Sequence, residues 1–226
     1  MTVNPVAVPT RSRARTTAPL IGAAAFLLIY LAVSPVANAI APLPMPDAPV
    51  ADVYAYFTDH GAASIVTGLL QLLSVAGFAL FVRASLRQVT DSPRRRAGLA
   101  LGSIAVAAML VSCAVAIILP LAADGLTPDT VDTWRQVSFY AGGVVHVVAL
   151  GGVALVIALW NAWTKPVRVM AWIAAVPALL SVTSLFWYYA SILLPAGRVL
   201  AMIAFIVAGV SLIRGRSLTA ETETLR

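Results

Sequence analysis

The sequence predicts an all-α, polytopic integral membrane protein with six transmembrane helices, arranged as three consecutive helical hairpins. The first observation is composition: 61% of the residues are hydrophobic and 11% are charged, whereas about a quarter of a soluble domain is charged. The second is the presence of six apolar segments, each close to the roughly 20 residues that cross a bilayer. The third is the alternation of basic and acidic stretches between these segments.

The six predicted spans divide the chain into three parts. Residues 1–18 form a basic leader, residues 19–213 form the membrane domain, and residues 214–226 form a polar tail. Each span is close to the length that a membrane-crossing helix needs. The spans are expected at residues 19–40, 63–81, 97–121, 137–160, 167–189 and 195–213.

Charge between the spans predicts the orientation in the membrane. Thirteen of the 15 Lys and Arg residues lie in the leader, after the second span, after the fourth span or in the tail. The stretches after the first and third spans carry three Asp residues each. The stretch after the fifth span is short, and Arg198 is its single basic residue. Because cytoplasmic loops are rich in Lys and Arg, we expect both termini in the cytoplasm and Arg198 in an outer loop.

The first span also has features of a secretory signal peptide. A basic leader precedes an apolar run, and Ala37-Asn38-Ala39 fits an A-x-A cleavage site. An internal repeat argues for retention instead. Residues 67–82 align without a gap on residues 142–157, so the second and fourth spans occupy equivalent places in successive hairpins. Cleavage at residue 39 would leave the second span without its partner.

Uncharged polar residues form a predicted layer at one depth of the membrane. Gln71 and His146 share one position in the repeat, and Thr67 and Ser74 lie on the same helix face as Gln71. We expect His146 to be neutral and to be hydrogen-bonded within this layer. We also expect no charged residue deep inside any span. The candidate ligand-binding residues are His146, Gln71, Ser34, Ser112, Ser181, Thr67 and Ser74.

Two interpretations of this layer stay open. The residues either join helices by hydrogen bonds, which is common in membrane proteins, or form the floor of a cavity open to the outside. The second interpretation predicts a protein that binds or transports a small uncharged or lipid-like ligand. The alternative function is that of an accessory or scaffold subunit in a larger membrane complex.

Several other functions find no support in the sequence. We expect no cofactor and no metal: there is no zinc or phosphate-loop motif, and only His60 and His146 could serve as haem ligands. We find no set of catalytic residues, which disfavours an enzyme. Nucleic acid is not an expected partner, because the Arg clusters lack interleaved aromatic residues. The expected partner is the lipid bilayer, together with a lipid, a small apolar ligand or other membrane subunits.

Aromatic residues predict contacts with the membrane interface. Residues 47–60, between the first two spans, are expected to form an interfacial helix capped by Asp47. Tryptophans near the predicted cytoplasmic boundary are expected to anchor the protein in the interface. Tyr54, Tyr56 and Phe57 on the interfacial helix are expected to face lipid. The tryptophans expected in the anchoring belt at the opposite boundary are Trp160, Trp163 and Trp172.

Residues 53–88, "VYAYFTDHGAASIVTGLLQLLSVAGFALFVRASLRQ", and the later helix "YAGGVVHVVALGGVALVIALW" resemble a broad group of uncharacterised actinobacterial multi-span membrane proteins. The resemblance implies no activity for any residue. A composition with 14 Arg and one Lys is typical of a GC-rich bacterial genome. We therefore expect the chain in the inner (plasma) membrane of a bacterium.

The predicted topology can be tested by labelling single cysteines in intact cells with an impermeant thiol reagent. Ala48→Cys and Gly125→Cys should react, because both positions are predicted to face outward, whereas Ser92→Cys should not. Labelling of the native Cys113 in the unaltered protein gives the background. Reaction at Ser92→Cys alone would show that the orientation is inverted.

Overall fold

The computed structural model describes residues 17–45, 47–88 and 92–215, and only the backbone of Tyr188. The predicted basic leader, apart from residues 17 and 18, and the predicted tail beyond residue 215 lie outside the described residues. The described chain contains helices and no strands. The helices are α1 (Ala18–Asn38), α2 (Val50–Asp59), α3 (Gly61–Leu86), α4 (Pro93–Ala122), α5 (Pro128–Ser138), α6 (His146–Leu159), α7 (Lys165–Leu180) and α8 (Leu193–Ile213).

Within the described residues, six helical units are long and apolar enough to cross a membrane, in agreement with the predicted number of spans. α1 and α3 form one span each. The other four units include short segments of other helix types, of which the longest is the π-helical turn Phe139–Val145 between α5 and α6. The chain is therefore a multi-pass membrane protein.

Local sequence explains where two of the helices begin. Ser92 precedes α4, and its side chain accepts a hydrogen bond from the Arg95 amide at 3.2 Å. Thr127 precedes α5 and accepts in the same way from the Thr130 amide at 3.3 Å. A proline follows each capping residue, where its fixed φ suits the first helical turn and its missing N–H leaves no bond unmade.

The spanning helices pack in chain order and close on themselves. α1 packs on α3, α3 on α4, α4 on α6, α6 on α7 and α7 on α8, and α8 returns to α1. Contacts are extensive both within and between the predicted hairpins, so the three-hairpin repeat stays a prediction. One end of the bundle carries α2 and α5. The opposite end, here called the arginine end, carries Arg83, Arg95 and Arg168.

α1 lies against α3 with almost no space between the two backbones. A Cβ atom on Gly22 would lie 2.6 Å from the Gly77 oxygen and 2.6 Å from the Phe81 nitrogen. Ser74 on α3 donates a hydrogen bond of 2.7 Å to the main-chain oxygen of Phe26 on α1. Close approach of this kind is typical of small residues in membrane helices, and it makes α1 an integral part of the core.

Aromatic side chains fill the centre of the bundle. The rings of Phe81 and Phe205 stack at a centroid distance of 4.8 Å, and Phe78 lies 5.5 Å from Phe205. Trp160 and Trp163 join this core with 1% and 3% of their surfaces exposed. The prediction that these two tryptophans anchor the protein in the membrane interface is therefore wrong, because they turn inward between α6 and α7.

The helix between the first two spans also differs from its prediction. α2 begins at Val50 after Pro49, and Asp47 does not cap it. Tyr56 and Phe57 are 4% and 5% exposed and lie in a small core near α5, so they do not face lipid. Burial raises the pKa of the Tyr56 hydroxyl. Tyr56 and Phe57 are buried because α5, which was not predicted as a separate helix, covers this face of α2.

Replacing Gly22 with valine should lower the free energy of unfolding by about 1–3 kcal/mol or more, the range for overpacked cores. The added side chain would push α1 away from Gly77 and Phe81. Ile21→Val is a matched control, because Ile21 is 58% exposed. The measurement is the free energy of unfolding in mixed micelles, and equal values for the two variants would contradict close packing of α1 on α3.

Candidate functional site

Three of the predicted polar residues meet at a cleft near the α2–α5 end. Thr67 and Gln71 of α3 and Ser112 of α4 line this cleft, whose volume is about 330 Å³. Residues 43–45, which follow α1, and Arg135 of α5 also line it. Its remaining lining residues are Met109 and Ala116 of α4, Ser138 at the end of α5, Phe139, Gly142 and Gly143 of the π-helical turn, and Arg198 of α8.

Ser112 is held in the cleft wall by a hydrogen bond between helices. Its hydroxyl lies 2.8 Å from that of Ser138. Gly142 lies opposite, and a Cβ atom there would collide with the Ser112 side chain. Glycine at position 142 therefore permits α4 to approach the π-helical turn, and the two serine hydroxyls close one side of the cleft.

Arg198 is the most unusual group in the cleft. It lies in the first turns of α8, five residues after Leu193 or about 8 Å along the axis, and is 8% exposed. Its Nη2 donates a hydrogen bond to the Gly142 main-chain oxygen, and its guanidinium carbon lies 5.2 Å from the centre of the Tyr30 ring. The prediction that Arg198 belongs to an outer loop is wrong.

The charge of Arg198 is not balanced within the described part of the chain. Arg135 at the cleft is paired with Asp132 at 2.8 Å. Arg198 faces no carboxylate among the described residues, and its Nε is buried without a hydrogen-bond partner. A charged side chain within a membrane span is unfavourable by several kcal/mol and usually marks a functional site. The expectation that the spans contain no deep charge is therefore wrong.

The π-helical turn supplies the acceptor for Arg198. In a π-helical turn each amide donates to the carbonyl five residues earlier, instead of four residues earlier as in an α-helix. Here the His146 amide donates to the Ala141 oxygen. The wider turn brings Gly142 and Gly143 to the cleft. Such turns are frequent at functional sites in proteins, and here the turn brings a main-chain carbonyl to the guanidinium.

His146 lies below the cleft and is fully buried. Its Nδ1 donates a hydrogen bond of 2.8 Å to the main-chain oxygen of Ala105 on α4. Gln71, Ser112 and Ser181 were expected to bond to this ring, and the structure shows no such bonds. Because a carbonyl can only accept, Nε2 is the acceptor nitrogen of the neutral ring, and it has no partner among the described residues.

A small void of about 10 Å³ lies between His146 and three residues that also line the cleft. His146, Arg198, Gln71 and Ser74 line it. Gln71 and Arg198 also line the cleft above. The void has the size of one water molecule, which could donate to Nε2 of His146 and accept from Nε of Arg198.

The other predicted residues lie apart from the cleft. Ser74 is 3% exposed and its hydroxyl is used at the α1–α3 contact. Ser181 is fully buried and donates to the Ala178 oxygen in its own helix at 2.6 Å. Ser34 lies on the exposed face of α1. The structure thus divides the predicted layer into three cleft residues, the buried His146, two packing contacts and one surface position.

Among the described residues, no three His, Cys, Asp or Glu side chains come close enough together to bind a metal ion. Comparison with known proteins adds no further assignment. No protein family, curated protein or solved structure matches this chain. The resemblance to actinobacterial multi-span proteins stays an expectation, and the functional conclusion must come from the site itself.

Two serine substitutions can separate bonds between helices from bonds within one helix. Ser74→Ala should lower the free energy of unfolding by about 0.6 kcal/mol, the mean value for a bond between membrane helices, because it removes the bond to Phe26. Ser181→Ala should have a clearly smaller effect, since its hydrogen bond to Ala178 is local and joins no second helix. Unfolding in mixed micelles measures both values, and a larger loss for Ser181→Ala would contradict this assignment.

Proposed function

We propose that the chain is a binding protein of the bacterial plasma membrane, whose cleft takes up a small organic anion from the outer side. The observation that supports the proposal most is the buried guanidinium of Arg198 at the cleft floor. It has no acidic partner among the described residues, and one of its N–H groups has no acceptor. A carboxylate in the cleft would supply the missing negative charge.

The cleft favours a small ligand with a short apolar part. Its volume of about 330 Å³ is at the lower end of the range for ligand pockets. Met109 and Phe139 provide apolar walls, while Thr67 and Gln71 add hydrogen-bonding groups. The sequence alone favoured an uncharged or lipid-like ligand because the spans were taken to lack charge. The buried Arg198 changes that expectation to an anion.

Binding fits this conformation better than transport. Phe26, Phe78, Phe81 and Phe205 fill the bundle between the cleft and the arginine end. A ligand that enters the cleft therefore meets a packed core below Arg198. Transport would require these rings to separate, whereas binding requires no such movement.

An accessory role in a larger complex is the second candidate. Exposed residues between α7 and α8 favour it: Phe186 is 90% exposed, Trp187 64% and Ile192 72%. These side chains lie at the same end as the cleft and could contact another subunit. Aromatic residues also occur at membrane interfaces without any partner protein, so the cleft gives the stronger argument.

The proposal can be tested with hexanoate and 1-hexanol, which share a six-carbon chain and differ in charge. Hexanoate should raise the thermal midpoint of the purified protein in neutral detergent more than 1-hexanol does. Arg198→Gln should abolish this difference and weaken hexanoate binding by about 10-fold or more, the value of a hydrogen bond to a charged group. Isothermal titration calorimetry measures the dissociation constant directly.

Arg168→Gln is the matched control. Arg168 also donates to a main-chain carbonyl, that of Ala158 at 3.0 Å, but it lies at the arginine end. This variant should bind hexanoate like the unaltered protein. If Arg198→Gln fails to fold, Gln71→Leu tests the same cleft without touching the guanidinium. Equal effects of hexanoate and 1-hexanol on the unaltered protein would refute the proposed anion site.

A further inference from the structure

A second cavity lies on the outside of the bundle, between α3 and α4 at the arginine end. It is a groove of about 480 Å³ and shares no lining residue with the cleft at Arg198. Arg83, Arg87 and Arg95 line one part of it, and Leu99, Val106 and Leu110 line the rest. The groove therefore combines positive charge at one end with an apolar floor.

The helical repeat explains this arrangement. Ala79, Arg83 and Arg87 follow each other at intervals of four residues, so they share one face of α3. On α4 the same spacing places Arg95, Leu99, Ser103 and Ala107 on one face. Both faces thus present arginine near the helix end and small or apolar residues farther in.

Small residues keep the groove open. A Cβ atom on Gly102 would lie 2.8 Å from the Val82 side chain, so the two helices touch at the base of the groove. Ser103 and Ala107 lie beside this contact on the exposed surface of α4. Their short side chains leave space that longer residues would fill. Ser103 also places one hydroxyl in the otherwise apolar part.

The arginines give this end a strong positive charge. Arg83 and Arg87 are exposed, and Arg95 is held at the groove by a hydrogen bond of 3.0 Å from its Nε to the Leu86 oxygen. In the sequence, residues 83–96 contain five Arg and a single acid, Asp91. The positive charge of three guanidinium groups at the groove is complementary to a phosphate group.

The dimensions fit a lipid in one leaflet. Along α4, the groove extends from Arg95 to Leu110, and the apolar part from Leu99 onward covers about 16 Å at 1.5 Å per residue. Half of the hydrocarbon thickness of a bilayer is about 15 Å. A headgroup level with the arginines would therefore place an acyl chain along the apolar floor within the same leaflet.

We propose that this groove binds an anionic phospholipid, with its phosphate among Arg83, Arg87 and Arg95 and one acyl chain along α4 as far as Leu110. Basic pockets between membrane helices bind anionic lipid headgroups in this way. The proposal is independent of the anion site at Arg198, because the two cavities lie at opposite ends of α3.

Native mass spectrometry of the full chain can test the groove with two lipids that share acyl chains, phosphatidylglycerol and phosphatidylcholine. The unaltered protein should retain phosphatidylglycerol preferentially. The double variant Arg83→Gln/Arg87→Gln should weaken phosphatidylglycerol binding about 30-fold, since each arginine near an anionic headgroup contributes roughly five-fold. Its binding of phosphatidylcholine should weaken less, because the choline ammonium offsets the charge of the phosphate. Inorganic phosphate should not displace the bound lipid, because it lacks an acyl chain.

Two controls separate the groove from general charge and general lipid contact. Arg214→Gln removes a charge at the same end of the bundle outside the groove and should change lipid preference little. Ser103→Trp should fill the groove and reduce binding of both lipids, whereas Ile104→Trp, on the neighbouring exposed position, should not. Equal retention of the two lipids by the unaltered protein, or equal losses for Arg214→Gln and the double variant, would overturn the proposal.

Discussion

Main-chain carbonyls accept most of the polar bonds that join the helices. Ser74 bonds to α1, His146 to α4, and Arg198 to the π-helical turn, each through a carbonyl oxygen. A helical carbonyl has a second lone pair after its own helical bond is made. Within a bilayer no water can satisfy a polar side chain, so each of these groups requires a neighbouring backbone at close range. Small residues such as Gly22 and Gly142 make that proximity possible.

Most of the fold could be predicted from the sequence, because hydrophobic length alone identifies a membrane-spanning helix. The six spans agree with the predicted segments to within a few residues at most ends. α5 and the π-helical turn were not predicted, since they join an amphipathic stretch to an apolar one without a break in helix-forming residues. Trp160 was assigned to the wrong surface, because position near the end of a span does not reveal which side faces the core.

The candidate site could be predicted only in part. Residue type and depth selected Thr67, Gln71 and Ser112, and the structure places these three residues at one cleft; their role in ligand binding stays a prediction. The partners of His146 could not be found in this way, because every residue carries a carbonyl and no side-chain pattern marks the one that is used. Arg198 was missed although it lies within the sixth predicted span. Its position between apolar residues on both sides is the signal that would have identified it.

The π-helical turn has one more consequence, for the orientation of the fourth span. An α-helix rotates by about 100° per residue, and a π-helical turn has the effect of about one extra residue. The polar helix α5 and the apolar helix α6 are therefore out of phase around their common axis. This offset lets α5 direct Val131 toward α2 while α6 directs His146 toward α4. A single continuous span thus serves two different packing environments, one near the membrane surface and one in its interior.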